Sequence, residues 1–163
     1  LTLSGKSTRR FAFEAFLPAD KKERRQVLHE LVNETRTIVL YEAPHRLLRT
    51  LQELLETLGD REVTITKELT KRHEKVVLTT FSEAVAYYES EEPRGEYVLV
   101  IAGKSYEELK QESINEWEKM SISEHVDYYL SQGFSKKDAM KQAAKDRGCS
   151  KRDIYQALLL AEE

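Results

Sequence analysis

The sequence predicts an α/β domain with a mixed sheet and flanking helices, followed by a small all-helical tail that resembles a helix-turn-helix. Short strand-length segments alternate with amphipathic segments of helix length over the first 104 residues, which predicts the domain. From Ser121 onward only helical periodicity remains, which predicts the tail. We therefore expect a domain over residues 1–104, an acidic connector over 105–120 and a helical tail over 121–163.

The strands are predicted by composition and spacing. Residues 10–17 alternate aromatic with other side chains until Pro18, and residues 62–68 alternate branched apolar with polar side chains. The nearly all-apolar run at 37–41 is typical of a strand buried on both faces of a parallel sheet. In chain order, the predicted strands are 10–17, 37–41, 62–68, 74–79 and 96–102, with 74–79 antiparallel to its neighbour.

The helices are predicted by apolar stripes and by signals at their ends. Asp20 and Ser82 are typical N-cap residues. Pro44 suits the first turn of a helix, and Gly59 suits the position just after its end. The predicted helices of the domain are 20–33, 44–58 and 82–89, and serines begin the three of the tail at 121–133, 135–148 and 150–163.

The composition excludes several classes of protein. Of the 163 residues, 40% are hydrophobic and 34% are charged, which is typical of a soluble globular protein. We expect no membrane segment and no export, because the chain has neither a run of about 18 apolar residues nor a secretory signal. The single cysteine, Cys149, fits a reducing cytosol, and the four scattered histidines have no ligand spacing, so we expect no metal site.

The net charge of −3 conceals a strong asymmetry along the chain. Residues 1–25 carry seven basic and three acidic side chains, whereas residues 105–130 carry two basic and seven acidic ones. Residues 135–156 again carry seven basic and three acidic side chains. This pattern indicates local positive surfaces rather than a globally basic nucleic-acid binder.

Residues 41–46, YEAPHR, form the first candidate functional cluster. They follow a predicted buried strand, and ligands of open α/β sheets bind at the carboxyl ends of strands. An acid, an imidazole and a guanidinium at such an end can transfer protons or bind anions. The alternative is purely structural, with Glu42 and Arg46 paired locally and His45 packed. A second polar cluster at 67–74 follows the next strand, which predicts a cleft between the two.

The tail has the spacing of a helix-turn-helix. This motif needs a small residue facing the partner helix, a glycine in the turn and a branched apolar residue in the second helix, which Ala144, Gly148 and Ile154 supply. Basic side chains cover the rest of this segment, so nucleic-acid contact is one hypothesis. A solvated three-helix module or a dimerisation unit is the alternative.

No glycine-rich phosphate loop, P-loop or nucleophile elbow is present in the sequence. A polar cleft without any such loop is typical of half a site.

Three stretches, RTIVLYEAPHRLLRTL, KELTKRHE and PRGEYVLVIAG, resemble the ribosomal RNA small subunit methyltransferase I family. The tail segment GFSKKDAMKQAAKDRGCSKRDIYQALL is similar to the C-terminal region of the same family. The resemblance implies a 16S rRNA cytidine-2′-O-methyltransferase of the tetrapyrrole-methylase, or class III, group, with S-adenosyl-L-methionine as methyl donor. It further implies that this chain corresponds to the C-terminal half, with a donor-binding N-terminal domain outside it.

By the same resemblance, the chain contributes one wall of the donor cleft. That wall would include Tyr41, Glu42 and Ala43 at one strand end, Leu69 after the next strand and Val98 near the last. The resemblance also implies 16S rRNA in the small ribosomal subunit as partner and a homodimer. The single cysteine predicts a cytoplasmic location.

The implied reaction is in-line displacement of the sulfonium methyl group by a ribose 2′-hydroxyl. Its main requirements are positioning and removal of the hydroxyl proton, and no metal is needed. His45 is the first candidate for the general base, because histidine side chains titrate near neutral pH. Glu42, Glu68 and Lys71 are rivals.

Basic residues are predicted to contact RNA or to have structural roles. Arg46, Lys71 and Arg94 are assigned to phosphate contacts or to structural pairs. In the tail, docking of RNA is assigned to Lys136, Lys137, Lys151 and Arg152.

Two other functions remain open: a fragment of a tetrapyrrole or other small-molecule methylase, and a stand-alone RNA-binding module. The helix-turn-helix residues argue against a small-molecule methylase.

The sequence departs from the family pattern at several positions. Residues 13–16 read FEAF, with Ala15 where the family usually has glycine, and Lys67 stands where arginine is common. Residues 78–80 read LTT in place of the usual arginine-glycine-threonine. These departures concern the local turn geometry more than the chemistry.

Overall fold

A computed structural model describes residues 1–161 of the chain. Glu162 and Glu163, which end the predicted tail, lie outside the described residues. The chain divides into two compact units, Leu1–Lys104 and Ser105–Glu163. The first unit combines strands and helices and the second is helical, so the predicted fold class is confirmed.

The first unit contains one mixed five-stranded sheet. Its strands are β1 (Phe11–Phe16), β2 (Thr37–Glu42), β3 (Glu62–Lys67), β4 (Lys75–Thr80) and β5 (Tyr97–Ile101), in the spatial order β1-β2-β5-β3-β4. β1 and β2 are parallel, whereas β5 is antiparallel to both β2 and β3, and β4 is antiparallel to β3. Strands β1, β2 and β3 therefore all end at one edge of the sheet, which we call the carboxyl edge.

Three helices cover one face of this sheet: α1 (Lys21–Glu30), α2 (Pro44–Leu58) and α3 (Phe81–Ser90). Helix α2 is amphipathic, and its Leu47, Leu51 and Leu54 are fully buried against the strands. Pro44 is at its first turn and Gly59 follows its end, as predicted. Helix α1 is capped by Asp20, whose carboxylate accepts two backbone N–H hydrogen bonds, also as predicted.

The start of α3 differs from the prediction. The N-cap is Thr80 rather than Ser82, and Thr80 forms a capping box with Glu83. Ser82 instead lies inside the first turn, where its backbone N–H and hydroxyl donate hydrogen bonds to the carboxylate of Asp60, at 2.8 and 2.6 Å.

The other face of the sheet carries no α-helix of residues 1–104. The segment before β1 hydrogen bonds there, since the hydroxyls of Thr37 and Thr64 donate to the carbonyls of Ser7 and Ser4. Nearer the carboxyl edge this face exposes an aromatic cluster of Phe13, Phe16 and Tyr41.

Ala15 produces this cluster. The register between β1 and β2 shifts between Phe13 and Ala15, and Ala15 has a φ of 50°, in the left-handed region. Residues three apart in a regular strand would point to opposite faces. Because of the bulge, both phenylalanine rings contact Tyr41 edge-on, at centroid distances of 5.2 and 5.8 Å.

The second unit begins with a helix, which lies in the segment that the sequence predicts as a connector. Helix α4 spans Tyr106–Glu118 inside the segment 105–120, and Ser105 and Glu108 form a capping box at its start. The apolar pattern of this segment is too loose to predict a packed helix, and α4 indeed buries no residue completely. Its capping residues and the helix-forming glutamates contribute to its stability.

Three further helices complete this unit: α5 (Ile122–Ser131), α6 (Lys136–Asp146) and α7 (Lys151–Ala161). The three residues of the helix-turn-helix pattern have the predicted environments. Ala144 and Ile154 are buried, and Gly148 has a φ of 66° in the turn between α6 and α7. None of the helices described in residues 1–161 combines the length and the apolarity that a membrane crossing needs.

A fully buried histidine links three helices of the second unit. The ring of His125 in α5 stacks on Trp117 at a centroid distance of 4.1 Å, and its Nδ1 accepts a hydrogen bond from Arg147 Nε at 3.0 Å. Arg147 also donates to the carbonyls of Trp117 and Met120. From the charge pattern, Arg147 would be one of the surface cations of the tail. In the structure its guanidinium instead caps the carbonyls at the end of α4.

Substitution of Ala15 by glycine is expected to stabilise the first unit by about 1 kcal/mol, because a left-handed φ is unfavourable for any residue with a Cβ atom. The measurement is the free energy of unfolding by urea. Ala12→Gly is the matched control, since this buried alanine lies in the regular part of the same strand and its replacement should destabilise. Destabilisation by Ala15→Gly would contradict the inference that the backbone of Ala15 is strained.

The second unit is expected to lose stability as the pH falls. Burial lowers the pKa of His125 and the positive charge of Arg147 lowers it further, while Asp146, 3.4 Å from Nε2, acts in the opposite direction. The unfolded chain therefore binds a proton before the folded one does. Below the ordinary histidine pKa of 6.5 the free energy of unfolding should fall, by at most about 1.4 kcal/mol per pH unit.

Fluorescence of the single tryptophan, which stacks on His125, reports this unit alone. His125→Gln should remove most of the pH dependence, whereas His73→Gln, at an exposed position of the first unit, should retain it. Equal pH dependence in all three proteins would exclude His125 as its origin.

Candidate functional site

The two predicted polar clusters lie at the carboxyl edge, but not on adjacent strands. β5 separates β2 from β3, so Glu42 pairs with Tyr97, and Tyr97 pairs with Lys67. Neighbouring strands are about 4.8 Å apart, which puts the ends of β2 and β3 about 10 Å from each other. The edge therefore consists of two strand ends with the start of β5 between them.

Glu42, at the end of β2, is completely enclosed. Its side chain has no exposed surface, and one carboxylate oxygen accepts a hydrogen bond from the hydroxyl of Thr50 at 2.5 Å. The other oxygen accepts the backbone N–H of Ala43 at 2.8 Å and lies 3.6 Å from Arg46 Nε. The structure thus gives this carboxylate the local pairing with Arg46 that the sequence left open as the structural alternative.

The contacts continue into α1 through Arg24. Its Nη2 donates to the hydroxyl of Thr50 at 2.7 Å and its Nε to Glu53 at 2.5 Å. Arg49 donates to the second oxygen of Glu53 at 2.9 Å. Burial alone would raise the pKa of Glu53, but hydrogen bonds from the two arginines outweigh it and lower that pKa. Strand β2 and helices α1 and α2 are thereby connected by one set of polar contacts.

His45 and Arg46 occupy the first turn of α2, immediately after this buried carboxylate. His45 is exposed and lines a cleft of about 370 Å³ together with Arg24, Arg46 and Arg49. Arg46 is only partly available, because its Nη2 donates to the carbonyl of Leu17 at 2.9 Å. Of the residues proposed for chemistry at this strand end, His45 is the accessible one.

The loop after β3 carries the second cluster and has unusual backbone geometry. Glu68 and Thr70 have φ values of 51° and 64°, which is uncommon for residues other than glycine. Leu69 between them is 41% exposed. Strained backbone of this kind concentrates at binding and catalytic sites, so this loop is a candidate contact surface.

Lys71 is held in this loop by carboxylates. Its Nζ lies 2.8 Å from Glu96 and 3.4 Å from Glu68. The hydrogen bond with Glu96, together with the charge of Glu68, raises the pKa of Lys71 and favours its protonated form. A protonated amine cannot accept a proton, which opposes the predicted role of Lys71 as a base in this conformation.

The predicted donor wall is distributed over the same edge. Tyr41 pairs directly with Val98 across β2 and β5, and its ring is 40% exposed in the aromatic cluster. Ala43 and Leu69 lie in the segments that follow β2 and β3. These assignments stay predictions.

Two features of the edge have no signal in the sequence. At Gly95 a Cβ atom would lie 2.5 Å from Glu68 Oε1, so only glycine allows the carboxylate to approach and accept the N–H of Glu96 at 2.9 Å. A cleft of about 530 Å³ also opens between β4 and α3, with Tyr87, Tyr88 and Tyr97 in its wall. The wall combines side chains of β3, β4, α3 and β5, so no local spacing indicates the cleft.

The four basic residues predicted to contact RNA lie at the starts of two helices. Lys136 and Lys137 begin α6, and Lys151 and Arg152 begin α7. All four are exposed, and in the described part of the chain none forms an ion pair. Cations at a helix N-terminus interact unfavourably with the helix dipole, so helix stability does not explain their presence.

Across residues 1–161, no cluster of three or more His, Cys, Asp or Glu side chains is suited to a metal ion.

Residues 1–85 match the family of tetrapyrrole (corrin/porphyrin) methylases. Comparison with individual proteins gives a more specific match. Ribosomal RNA small subunit methyltransferase I of Bacillus subtilis (strain 168) is 42% identical over 96% of this chain and 53% of its own length. The Halalkalibacterium halodurans protein of the same name is 43% identical over 95% of this chain and 53% of its own length. These relatives confirm the resemblance to that family, and the chain spans about half their length.

Two further proteins are similar to this chain at lower sequence identity. The protein of the same name from Synechocystis sp. is 39% identical over 99% of this chain and 57% of its own length. A solved structure of cobalt precorrin-4 methyltransferase, a cobalamin biosynthetic enzyme, aligns with a TM-score of 0.39 at 19% identity, over 56% of this chain and 39% of that one.

Proposed function

This chain belongs to the tetrapyrrole (corrin/porphyrin) methylase family, and on that premise we propose that it is part of an S-adenosylmethionine-dependent ribosomal RNA methyltransferase. The observation that carries the proposal is the identity of 42–43% over about 95% of the chain with ribosomal RNA small subunit methyltransferase I. The acceptor we propose is a cytidine 2′-hydroxyl of 16S rRNA in the small ribosomal subunit. Such a substrate implies a cytoplasmic location.

We assign to this chain one wall of the cleft for donor and RNA. A segment outside the chain would supply the other wall, since the relatives are about twice as long. The exposed aromatic cluster of Phe13, Phe16 and Tyr41 is apolar surface of the kind that a second domain or a second copy of the chain buries.

The carboxyl edge fits part of the donor. S-Adenosylmethionine supplies a methyl group that is already activated on a sulfonium sulfur. Tyr41 and Leu69 keep large apolar surfaces exposed at this edge, which suits the adenine ring, and the carboxylates of Glu68 and Glu96 suit an ammonium group. Val98 and Ala43 would complete the wall.

The residue we propose as general base is His45. Its imidazole is exposed at the first turn of α2, whereas Glu42 is enclosed and Lys71 is held protonated. Glu68 already accepts the backbone N–H of Glu96. His45 would take the proton of the 2′-hydroxyl, and the adjacent Arg46 would contact a phosphate with the part of its guanidinium that is exposed.

In the second unit, Lys136, Lys137, Lys151 and Arg152 are proposed to contact RNA phosphates. Helix N-termini present unpaired backbone N–H groups, and lysines beside them add positive charge, so both favour bound phosphate. A small-molecule methylase has no need of such residues. Because the matching family is named for methylases of tetrapyrroles, methylation of a tetrapyrrole is the second candidate function. The third is a stand-alone RNA-binding module, which the proposed RNA contacts would also suit.

The full-length protein, incubated with methyl-labelled S-adenosylmethionine and unmodified small ribosomal subunits, is expected to form 2′-O-methylcytidine, detected by nucleoside mass spectrometry. His45→Ala should lower kcat at least tenfold, because general bases contribute about 10²- to 10⁴-fold. His29→Ala, at an exposed histidine in the last turn of α1, is the matched control and should retain full activity.

Each alternative gives a different result. Label in a tetrapyrrole rather than in RNA would favour the small-molecule methylase, and tight RNA binding by this chain alone without any transfer would favour the binding module. Methyl transfer by this chain alone would contradict the two-wall proposal. Unchanged turnover of His45→Ala would exclude it as the base.

Reversal of charge at the start of α6, in Lys136→Glu/Lys137→Glu, is expected to weaken binding of 16S rRNA. Each lost phosphate contact should reduce the slope of log K against log salt by about 1, hence by about 2 for the pair. Glutamate is favourable at a helix N-terminus, so the fold should be retained. Lys141→Glu/Lys145→Glu, later in the same helix, is the control, and equal losses in both pairs would indicate a general charge effect.

A further inference from the structure

A groove runs along the outside of the first unit, between α1 and α2. It consists of two adjoining clefts of about 500 and 370 Å³ that share Arg24 and Arg49 in their walls. The smaller cleft includes His45, and the larger one extends along α2 as far as Thr57. At 1.5 Å per helical residue this groove is about 18 Å long. It therefore connects the candidate catalytic histidine to a remote part of the surface.

The groove is positively charged although the chain as a whole carries −3. Five lysine or arginine side chains line it against two glutamates, Glu53 and Glu56, which leaves an excess of three positive charges. Glu53 already accepts hydrogen bonds from Arg24 and Arg49. The remaining cations are Lys21 and Arg25, exposed one turn apart on α1, and Arg46 at the end near His45.

Arg24 gives a second, independent indication of a ligand. It is 5% exposed, and its Nε and Nη2 donate to Glu53 and Thr50. Its Nη1 has no hydrogen-bond partner among residues 1–161. A buried donor without a partner is unfavourable by about 1–3 kcal/mol, more for a charged group, and an anion in the groove is the kind of partner it lacks.

We propose that this groove holds the phosphodiester backbone of the RNA substrate and directs the strand toward His45. The proposal rests on the proposed function, and deepens it by naming where the RNA lies. The cations are spread along two helices instead of converging on one point, which suits a strand of regularly spaced phosphates. Along a duplex, each strand presents one phosphate about every 3.4 Å, so about five would span the groove.

The composition of the groove also specifies how RNA is held. Among the described residues that line the two clefts there is no tyrosine, phenylalanine or tryptophan, so the groove lacks the large stacking surfaces that hold bases. Contacts to phosphates position a strand without reading its sequence. Selection of the cytidine would then occur elsewhere, and the groove would supply register and affinity.

The test uses Lys21→Glu/Arg25→Glu in the full-length protein. These positions are exposed and have no part in the contacts of Glu42 and Glu53, unlike Arg24 and Arg49, whose removal can unfold the protein. Binding of a fluorescent 16S rRNA fragment is measured by anisotropy over a series of salt concentrations. We expect affinity to fall at least tenfold near physiological salt and the salt slope to fall by about 2.

The control is Arg9→Glu/Arg10→Glu, which makes the same change in charge just before β1. This position is at the end of the sheet opposite to the carboxyl edge. Circular dichroism verifies the fold of both variants. The control should remain within about twofold of the unaltered protein. An equal loss in both variants, or none in Lys21→Glu/Arg25→Glu, would overturn the proposal.

Two further measurements distinguish an RNA groove from a small-anion site and from a failure of the proposed function. Inorganic pyrophosphate at millimolar concentration should not displace the RNA. Displacement that depends on Lys21 and Arg25 would indicate a small-anion site and overturn the proposal.

Methyl transfer is measured in parallel, and in Lys21→Glu/Arg25→Glu the KM for RNA should rise by a larger factor than kcat falls. Groove-dependent RNA binding without methyl transfer would refute the proposed function alone, and methyl transfer with unchanged KM would refute the groove alone.

Discussion

The buried carboxylate of Glu42 is the constraint on which the first unit depends. Moving an ionised group out of water is unfavourable by several kcal/mol, so its partners must be held in place. The hydroxyl of Thr50, the N–H of Ala43 and the guanidinium of Arg46 supply them, and Arg24 extends the contacts into α1. These contacts fix the start of α2 against the end of β2. The position of His45 follows from them, as do the walls of the groove.

Arg24 and Arg49 therefore contribute both to the structure of the first unit and to the charge of the groove. Both donate hydrogen bonds to Glu53, and both also line the groove that we propose for RNA. Such an arrangement gives a rigid positive surface, because side chains already fixed by hydrogen bonds lose little conformational entropy when a phosphate binds. The second unit offers a different kind of cation, on exposed lysines at the starts of α6 and α7.

Backbone strain marks the carboxyl edge as well. Ala15, Glu68 and Thr70 are the described residues other than glycine with positive φ, and all three lie at or near the ends of β1 and β3. The bulge at Ala15 brings two phenylalanines onto one face, and the turn at Glu68 brings its carboxylate against Gly95. The alanine at position 15 was visible in the sequence, but the left-handed φ that makes it unfavourable was not.

The sequence by itself determined the fold class, the helix caps at Asp20 and Ser121, and the helix-turn-helix residues Ala144, Gly148 and Ile154, because periodicity, capping and turn chemistry are local. It also determined the similarity to a methyltransferase family, through contiguous runs such as YEAPHR. Only the tertiary structure decided that Glu42 is enclosed, that β5 separates the two polar clusters and that α1 and α2 form a basic groove. Strand order and burial depend on contacts between residues distant in the chain, which no local pattern specifies.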